Sequence, residues 1–433
     1  MPRAKALLIL AAALIIPISQ PMSLAADGRN QSAGQILDEL GSKAFRWFEA
    51  NRNPKTGLVR DRGPNWPGEP SGGSMASIAS MGYYLSMLPE AERLGQIKRE
   101  TARPQALQML RFVKSSLQHH DGLFYHFIDW DTGQRYGKCE VSVLDSAIFF
   151  NGCIVVAQAY GAEVAELANF LLDRAAWDRF VIVEPHLRKK LLALGWSPEA
   201  GLFGNAGWRT SEMAMPYFLA VGSRTNPIEA QCWYNTPANR MNVVGYNVLF
   251  GDQALFTSYY GLGWHDLRGK VDKSGVNLEA NARIAALANR AACSALARQS
   301  RLYAKAGGIW WGISAGDAPA GYIAPGPLSK DLEGTLWPMA ALAALPWIPN
   351  EIEQDIVRWR ASALWPRISG EYGLSPFNFD KSWVGKDLIG IDLGSFYINL
   401  ANYRNQTVWK LWMQHPIAQN ALQRLGFKTA SAR

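Results

Sequence analysis

The sequence predicts an all-α fold. Apolar residues recur at three- and four-residue intervals through most of the chain, the pattern of helices that bury one face. Between these stretches lie loops rich in Gly, Pro and Trp. No Ser/Pro linker, low-complexity tract or sequence repeat divides the chain, so residues 26–433 read as one domain. Helices so evenly spread suit hairpins arranged in a ring, although periodicity alone does not establish closure.

The first helix is expected over 36–48, where Leu37, Leu40, Ala44, Phe45 and Phe48 fall near one face. Similar amphipathic stretches follow at 74–88, 104–117, 141–159, 162–176, 278–297, 335–345 and 351–364. The C-terminal part adds 393–403, 407–414 and 416–425. Another helix begins near Glu212, where Thr210 or Ser211 can cap it. Loops at 63–73, 307–327 and 370–390 interrupt the pattern. The last two exceed the usual connection length, which favours functional loops over simple turns.

Residues 1–25 read as an export signal, with Arg3 and Lys5 at the positive end, an apolar run over 6–16 and Ser23-Leu24-Ala25 as a small-residue cleavage site. The run is short for a bilayer span, and Pro17 and Pro21 follow it. An uncleaved anchor is the alternative. No later segment reads as long and apolar enough to cross a membrane, so a soluble periplasmic or secreted protein is expected, acting as a monomer. Cleavage would leave 408 of 433 residues and lower the formal charge from +8 to +6. Lys and Arg are scattered rather than blocked, which argues against a nucleic-acid partner. Cys139, Cys153, Cys232 and Cys293 are widely spaced with no C-x-x-C pair, and are expected as buried free thiols.

Chemistry points to residues 121–152, DGLFYHFIDWDTGQRYGKCEVSVLDSAIFFNG. The segment holds seven aromatics, Tyr125 among them, and five carboxylates: Asp121, Asp129, Asp131, Glu140 and Asp145. Flat apolar rings can stack on sugar faces, and carboxylates can protonate a glycosidic oxygen or activate water. Glu140 and Asp145 are five positions apart, about 500° of helical rotation, so they do not share a face. Glu140 reads as lying at a helix entrance, where a negative charge is also structurally favourable. Glu212, in a first turn, has the same two readings. Asp392, between Ile391 and Leu393 and flanked by Gly390 and Gly394, either caps a helix or is used. Asp317, Asp331 and Glu333 are loop acids, for which solvated charge is the plain alternative. Trp310, Trp311, Tyr322, Phe377 and Trp383 stand in the long loops and favour a sugar-binding groove. The six His show no metal-ligand spacing, and no nucleophile elbow, phosphate loop or dinucleotide fingerprint occurs. Acid/base work by carboxylates, with no metal and no cofactor, is what remains.

In its motifs the chain resembles the glucoamylase-like domain of bacterial endo-β-1,2-glucanases of glycoside hydrolase family 144, from about Leu37 to Phe427. The landmarks are FRWFEANRNPKTGLVRDR at 45–62, the FYHFIDWDTGQR…EVSVLDSA segment and TSEMAMPYFLAVGSRTNPI at 210–228. WHDLRG at 264–269, WWGISAGDAPAGY at 310–322, YGLSPFN at 372–378 and GIDLGSFYINLANYR at 390–404 complete them. The resemblance implies an (α/α)6 barrel with its site in the loops at one end. It also implies hydrolysis of β-1,2-glucan, with inversion and release of short sophoro-oligosaccharides. By resemblance Glu140, Glu212 and Asp392 are the acids of the site. Glu140 is then the first choice for general acid, with Asp392 or Glu212 positioning or activating water. Arg60, Asp61, Asp145, Trp311, Asp317 and Asn378 fall on positions expected near the substrate. The chain departs from the family pattern at Leu393, Ser395, Ala401 and residues 251–263. Exact linkage and endo or exo action therefore stay open, as do a transglycosylase and a non-catalytic glucan-binding protein.

Overall fold

Ser32 opens the first helix by accepting the Gln35 backbone N–H, while the Gln35 side chain returns to the Ser32 N–H, a reciprocal capping box. The computed structural model describes residues 31–69, 73–184, 188–299, 303, 309–330 and 332–430. The expected export signal at 1–25 and the loop acid Asp331 lie outside the described residues. Among those residues are fourteen helices: α1 (Ala33–Ala50), α2 (Ile78–Arg93), α3 (Arg99–Ser115), α4 (Val143–Tyr160), α5 (Ala162–Arg174), α6 (Ser211–Gly222), α7 (Gln231–Tyr234), α8 (Leu278–Gln299), α9 (Pro338–Leu342), α10 (Pro349–Ala361), α11 (Trp365–Ile368), α12 (Gly390–Asn405), α13 (Thr407–Met413) and α14 (Pro416–Arg424).

Their packing has an inner set and an outer set. α2 packs on α4, α4 on α6, and α6 on the two short turns Leu255–Ser258 and Gly261–Gly263. The first of these turns meets α9, α9 meets α12, and α12 returns to α2. Outside this set α1 lies against α10 and α12, α3 against α5, α5 against α4, and α14 against α6.

The α2–α4 contact is backbone against backbone. A Cβ on Gly82 would fall 2.3 Å from the Ile148 carbonyl oxygen, and one on Gly152 would fall 2.3 Å from that of Gly82. Two glycines therefore let the inner helices touch. α4 also overturns one expectation, because it is long and apolar enough to cross a membrane by length and composition. Most of it is buried in the protein, as expected for a core helix that is apolar all round.

Short strands were not anticipated, yet the described residues form nine small ladders of two or three strands. Segments of two to four residues are too short for a period of two to register. Their placement matters. Met75–Ser77 pairs with Phe127–Asp129, Val141–Ser142 with Gly195–Ser197, and Arg62–Pro64 with Asp387–Ile389. Each ladder supplies the residues immediately before α2, α4 or α12, so the loops are tied together where the inner helices begin. This also moves the expected start at 74 to Ile78. The expected helix at 335–345 shortens to Pro338–Leu342. All four cysteines are free thiols, three of them buried and Cys139 partly exposed.

Replacing Gly82 or Gly152 by Ala should destabilise the protein by about 1–3 kcal/mol, since neither backbone can yield cheaply. Gly41→Ala should cost less, because its Cβ would meet only the flexible end of Leu400. Thermal melts of the three variants check the order.

Candidate active site

Three inner helices carry an acid in their first turn: Asp145 in α4, Glu212 in α6 and Asp392 in α12. Unpaired N–H groups make a helix start hospitable to negative charge. The caps are other residues. Ser142 accepts the Asp145 N–H at 3.1 Å, and Thr210 accepts the Met213 N–H at 3.4 Å. In α12 the cap position is Ile389, with no side-chain cap, so Asp392 is not spent on capping.

Glu212 is ringed by protein while keeping some contact with solvent. Burial pushes its carboxyl up to about 8, and the charge of Asp145 adds to the effect. The Trp208 N–H lies close and pulls the other way without closing a hydrogen bond of ordinary length. Asp392 is similarly enclosed. Burial pushes it up to about 7, opposed by the Tyr260 hydroxyl, which donates to Oδ1 at 3.4 Å, and assisted by Asp317 and Asp61.

A different arrangement governs the adjoining wall. His126 Nδ1 lies 2.9 Å from Glu140 Oε1, and its Nε2 lies 3.6 Å from Asp145 Oδ1. The ring stacks on Phe127 at 3.9 Å. Burial opposes the imidazolium, but Asp145, Glu140 and Asp61 outweigh it and push the group up to about 9. The His126 hydrogen bond in turn holds Glu140 below the usual carboxylate range. That suits an anion rather than a proton donor, and it counts against Glu140 as first choice for general acid. Arg62 joins the cluster, bonding Asp61 at 3.0 Å and Asp317 at 2.6 Å. Asp317 lies in the hairpin Gly316–Ala318 and Gly321–Ile323, which also carries the exposed Tyr322. Tyr322 feels the charges of Asp392, Asp61 and Asp145.

The structure thus brings Asp61, Glu140, Asp145, Glu212, Asp317, Tyr322 and Asp392 to one place. Other candidates go elsewhere. Trp311 is buried and donates its indole N–H to Asp355 at 3.0 Å. Phe377 is buried against Trp310 and Phe379, and Asn378 is buried with its amide donating to the Glu333 carbonyl at 2.8 Å. These three are corrected to core and loop scaffold, because the long loops fold their aromatics inward. Trp383 is half-buried and pairs with Asn378 in a short ladder. Tyr125 is buried, and its backbone bridges Val141, so it supports the Glu140 loop from behind. Arg60 lies over the Trp130 ring at 3.8 Å and flanks Asp61. Gly390 and Gly394 make room for neighbouring side chains: a Cβ would meet Ser80 or Tyr83.

Sequence reasoning missed His126, Arg62, Tyr260 and Tyr83. Tyr83 is fully buried, its hydroxyl has no hydrogen-bond partner within ordinary length, and it feels Asp392, Asp145 and Glu212 together. His126 and Arg62 lie inside quoted motifs, FYHFIDW and LVRDR, so composition around the acids was the available signal. Among the described residues no group of three or more His, Cys, Asp and Glu is placed to hold a metal ion. The arrangement offers two carboxyls that burial pushes up toward neutrality, Glu212 and Asp392, facing Glu140 and Asp145 on either side of His126, and Asp61 and Asp317 on Arg62; burial raises Asp61 as well, against the pull of Arg62.

Residues 206–416 match a family model named Glycoamylase and described as "Putative glucoamylase". A relative from Parabacteroides distasonis, named exo beta-1,2-glucooligosaccharide sophorohydrolase (non-reducing end), is 24% identical over 439 residues. The alignment covers 90% of this chain but 58% of the relative, so the chain spans less than two thirds of that protein. A crystal structure from Bacteroides uniformis, described in the same words as the family model, has a TM-score of 0.81 at 25% identity and covers 92% of this chain and 98% of that one. The endo-beta-1,2-glucanase of Chitinophaga pinensis, in complex with sophorotriose and glucose, shares the fold with a TM-score of 0.80 at 22% identity, covering 92% and 99%.

Because the folded state raises the Glu212 pKa, stability should fall as pH rises from about 4.5, where the unfolded carboxyl ionises, through about 8, where the folded one does. Gln resembles the protonated acid and does not titrate. Glu212→Gln should therefore gain in melting temperature over the parent across that window and hold the gain above it. Parallel melting curves would contradict the assignment.

Proposed function

We propose that this glucoamylase-like chain is an (α/α)6-barrel hydrolase of β-1,2-glucan that releases short sophoro-oligosaccharides with inversion. The inner packing order supports the barrel, since six segments (α2, α4, α6, the turns at 255–263, α9 and α12) return to their start. The named activities of the Parabacteroides and Chitinophaga relatives support the substrate. The observation that carries the chemistry is the pair of carboxyls on α6 and α12, both protonatable near pH 7, with Glu212 the higher of the two.

In this reading Glu212 is the general acid, taking the role first assigned to Glu140. It protonates the glycosidic oxygen as the C1–O bond breaks. Asp392 accepts a proton from the water that attacks C1 from the opposite face. Glu140, Asp145 and Asp61, paired through His126 and Arg62, receive sugar hydroxyls, and Tyr322 offers an exposed ring. An N-terminal export signal would place the enzyme in the periplasm or outside the cell, working as one domain and as a monomer.

A second reading, exo-release of sophorose from the non-reducing end, is favoured by the name of the Parabacteroides relative. Product profiles from linear and cyclic β-1,2-glucan separate the two, because an exo enzyme leaves the cyclic polymer uncut. Anomer-resolved NMR of the first products tests inversion.

Reducing sugar should appear from linear β-1,2-glucan, and Glu212→Gln and Asp392→Asn should each lower kcat by roughly 100-fold or more. Glu140→Gln should raise KM more than it lowers kcat. Since Asp392 must be ionised and Glu212 protonated, kcat/KM should trace a narrow bell with apparent limbs near 7 and 8. Full activity in both Glu212→Gln and Asp392→Asn contradicts the site.

A further inference from the structure

His126 stands where three chain segments meet, and its surroundings constrain its charge. Glu140 comes from the loop before Val141, Asp145 from the first turn of α4, and Asp61 from the loop before Arg62–Pro64. Two of these carboxylates address opposite ring nitrogens, at 2.9 Å and 3.6 Å. A neutral imidazole has one N–H donor and one lone pair, so it can satisfy one of the two and must turn its lone pair on the other. Only the imidazolium donates from both nitrogens. The ring is also fixed in place. It stacks on Phe127, its backbone N–H donates to the Glu140 carbonyl at 2.8 Å, and its carbonyl accepts the Ile78 N–H at the start of α2.

The other charged groups facing this cluster are few. Arg62 binds Asp61 and reaches away to Asp317. Arg135 acts on Glu140 from a distance while its guanidinium is held by Glu199. His126 is therefore the cation that Glu140 and Asp145 share.

We propose that His126 is a positioning residue of the site: bridging Glu140 and Asp145 as an imidazolium, it holds both carboxyls in place toward the sugar and leaves Glu212 as the proton donor. The inference rests on the reading of Glu212 as general acid. Without the bridge, neighbouring carboxylates relieve their repulsion by taking up a proton, and the wall competes for the charge state that catalysis needs.

The test is the pH dependence of kcat/KM on β-1,2-gluco-oligosaccharides for His126→Gln, which keeps an amide donor but removes the charge. The acidic limb should move up by about one pH unit, and kcat at pH 7 should fall at least about tenfold. In His126→Gln/Glu140→Gln, which removes the unpaired anion as well, the limb should move back toward the parent position. A parent-like limb and kcat in His126→Gln would overturn the proposal. A nitrogen-15 titration of the parent protein decides the matter without any turnover. The His126 ring should stay protonated through pH 8, and the Asp145→Asn substitution should lower its titration point. A ring titrating near 6.5 would overturn the proposal even if His126→Gln failed to fold. If the parent protein leaves β-1,2-glucan intact, the proposed function fails, and the titration still settles the state of His126.

Discussion

The site is governed by an excess of negative charge in a partly desolvated space. Asp61, Glu140, Asp145, Glu212 and Asp392 converge there with His126 and Arg62 as their near cations. Charges crowded away from water must be paired or neutralised. The protein does both, and in different places. Glu140 and Asp145 are paired through His126, Asp61 and Asp317 through Arg62, and the two left without a cation, Glu212 and Asp392, relieve the strain by holding protons near neutral pH.

The fold creates this crowding. Inner helices that begin in the same region present their first turns to one another, and each first turn welcomes an acid. Backbone ladders before α2, α4 and α12 hold those beginnings in register, and contact between Gly82 and Gly152 draws α2 and α4 together. The glycines beside Asp392 serve the same end, leaving room for Ser80 and Tyr83. Packing and chemistry are therefore coupled through α2. It carries Tyr83 between the acids and, at its first residue, donates the Ile78 N–H to the His126 carbonyl.

Much of this was legible in the sequence, though unevenly. Helix periodicity located α1, α4, α8 and α12 to within a few residues, because each buries a broad face. First-turn placement of Glu212 followed from Thr210, and the opening of α4 from the polar-to-apolar change after Glu140. Ladders of two to four residues left no periodic trace. Ring orientation in loops was also invisible: Trp311 and Phe377 are as aromatic as Tyr322, and only tertiary packing decides that two point inward and one outward. His126 was passed over because a lone histidine has no spacing to betray it. Its partners are identified only when residues 61, 140 and 145 are brought together in space. The exchange of roles proposed between Glu140 and Glu212 has the same origin, since burial and a neighbouring cation shift the proton affinity of each, and neither is written in the local sequence.

The proposed chemistry turns on one proton. A carbon-13 NMR titration of the glutamate side-chain carboxyls, with the Glu212 signal assigned by its loss in Glu212→Gln, measures that proton directly. A Glu212 carboxyl that remains protonated at pH 7 and titrates near 8 is the predicted result. A Glu212 signal that titrates in the ordinary carboxylate range, near 4 to 5, would contradict it.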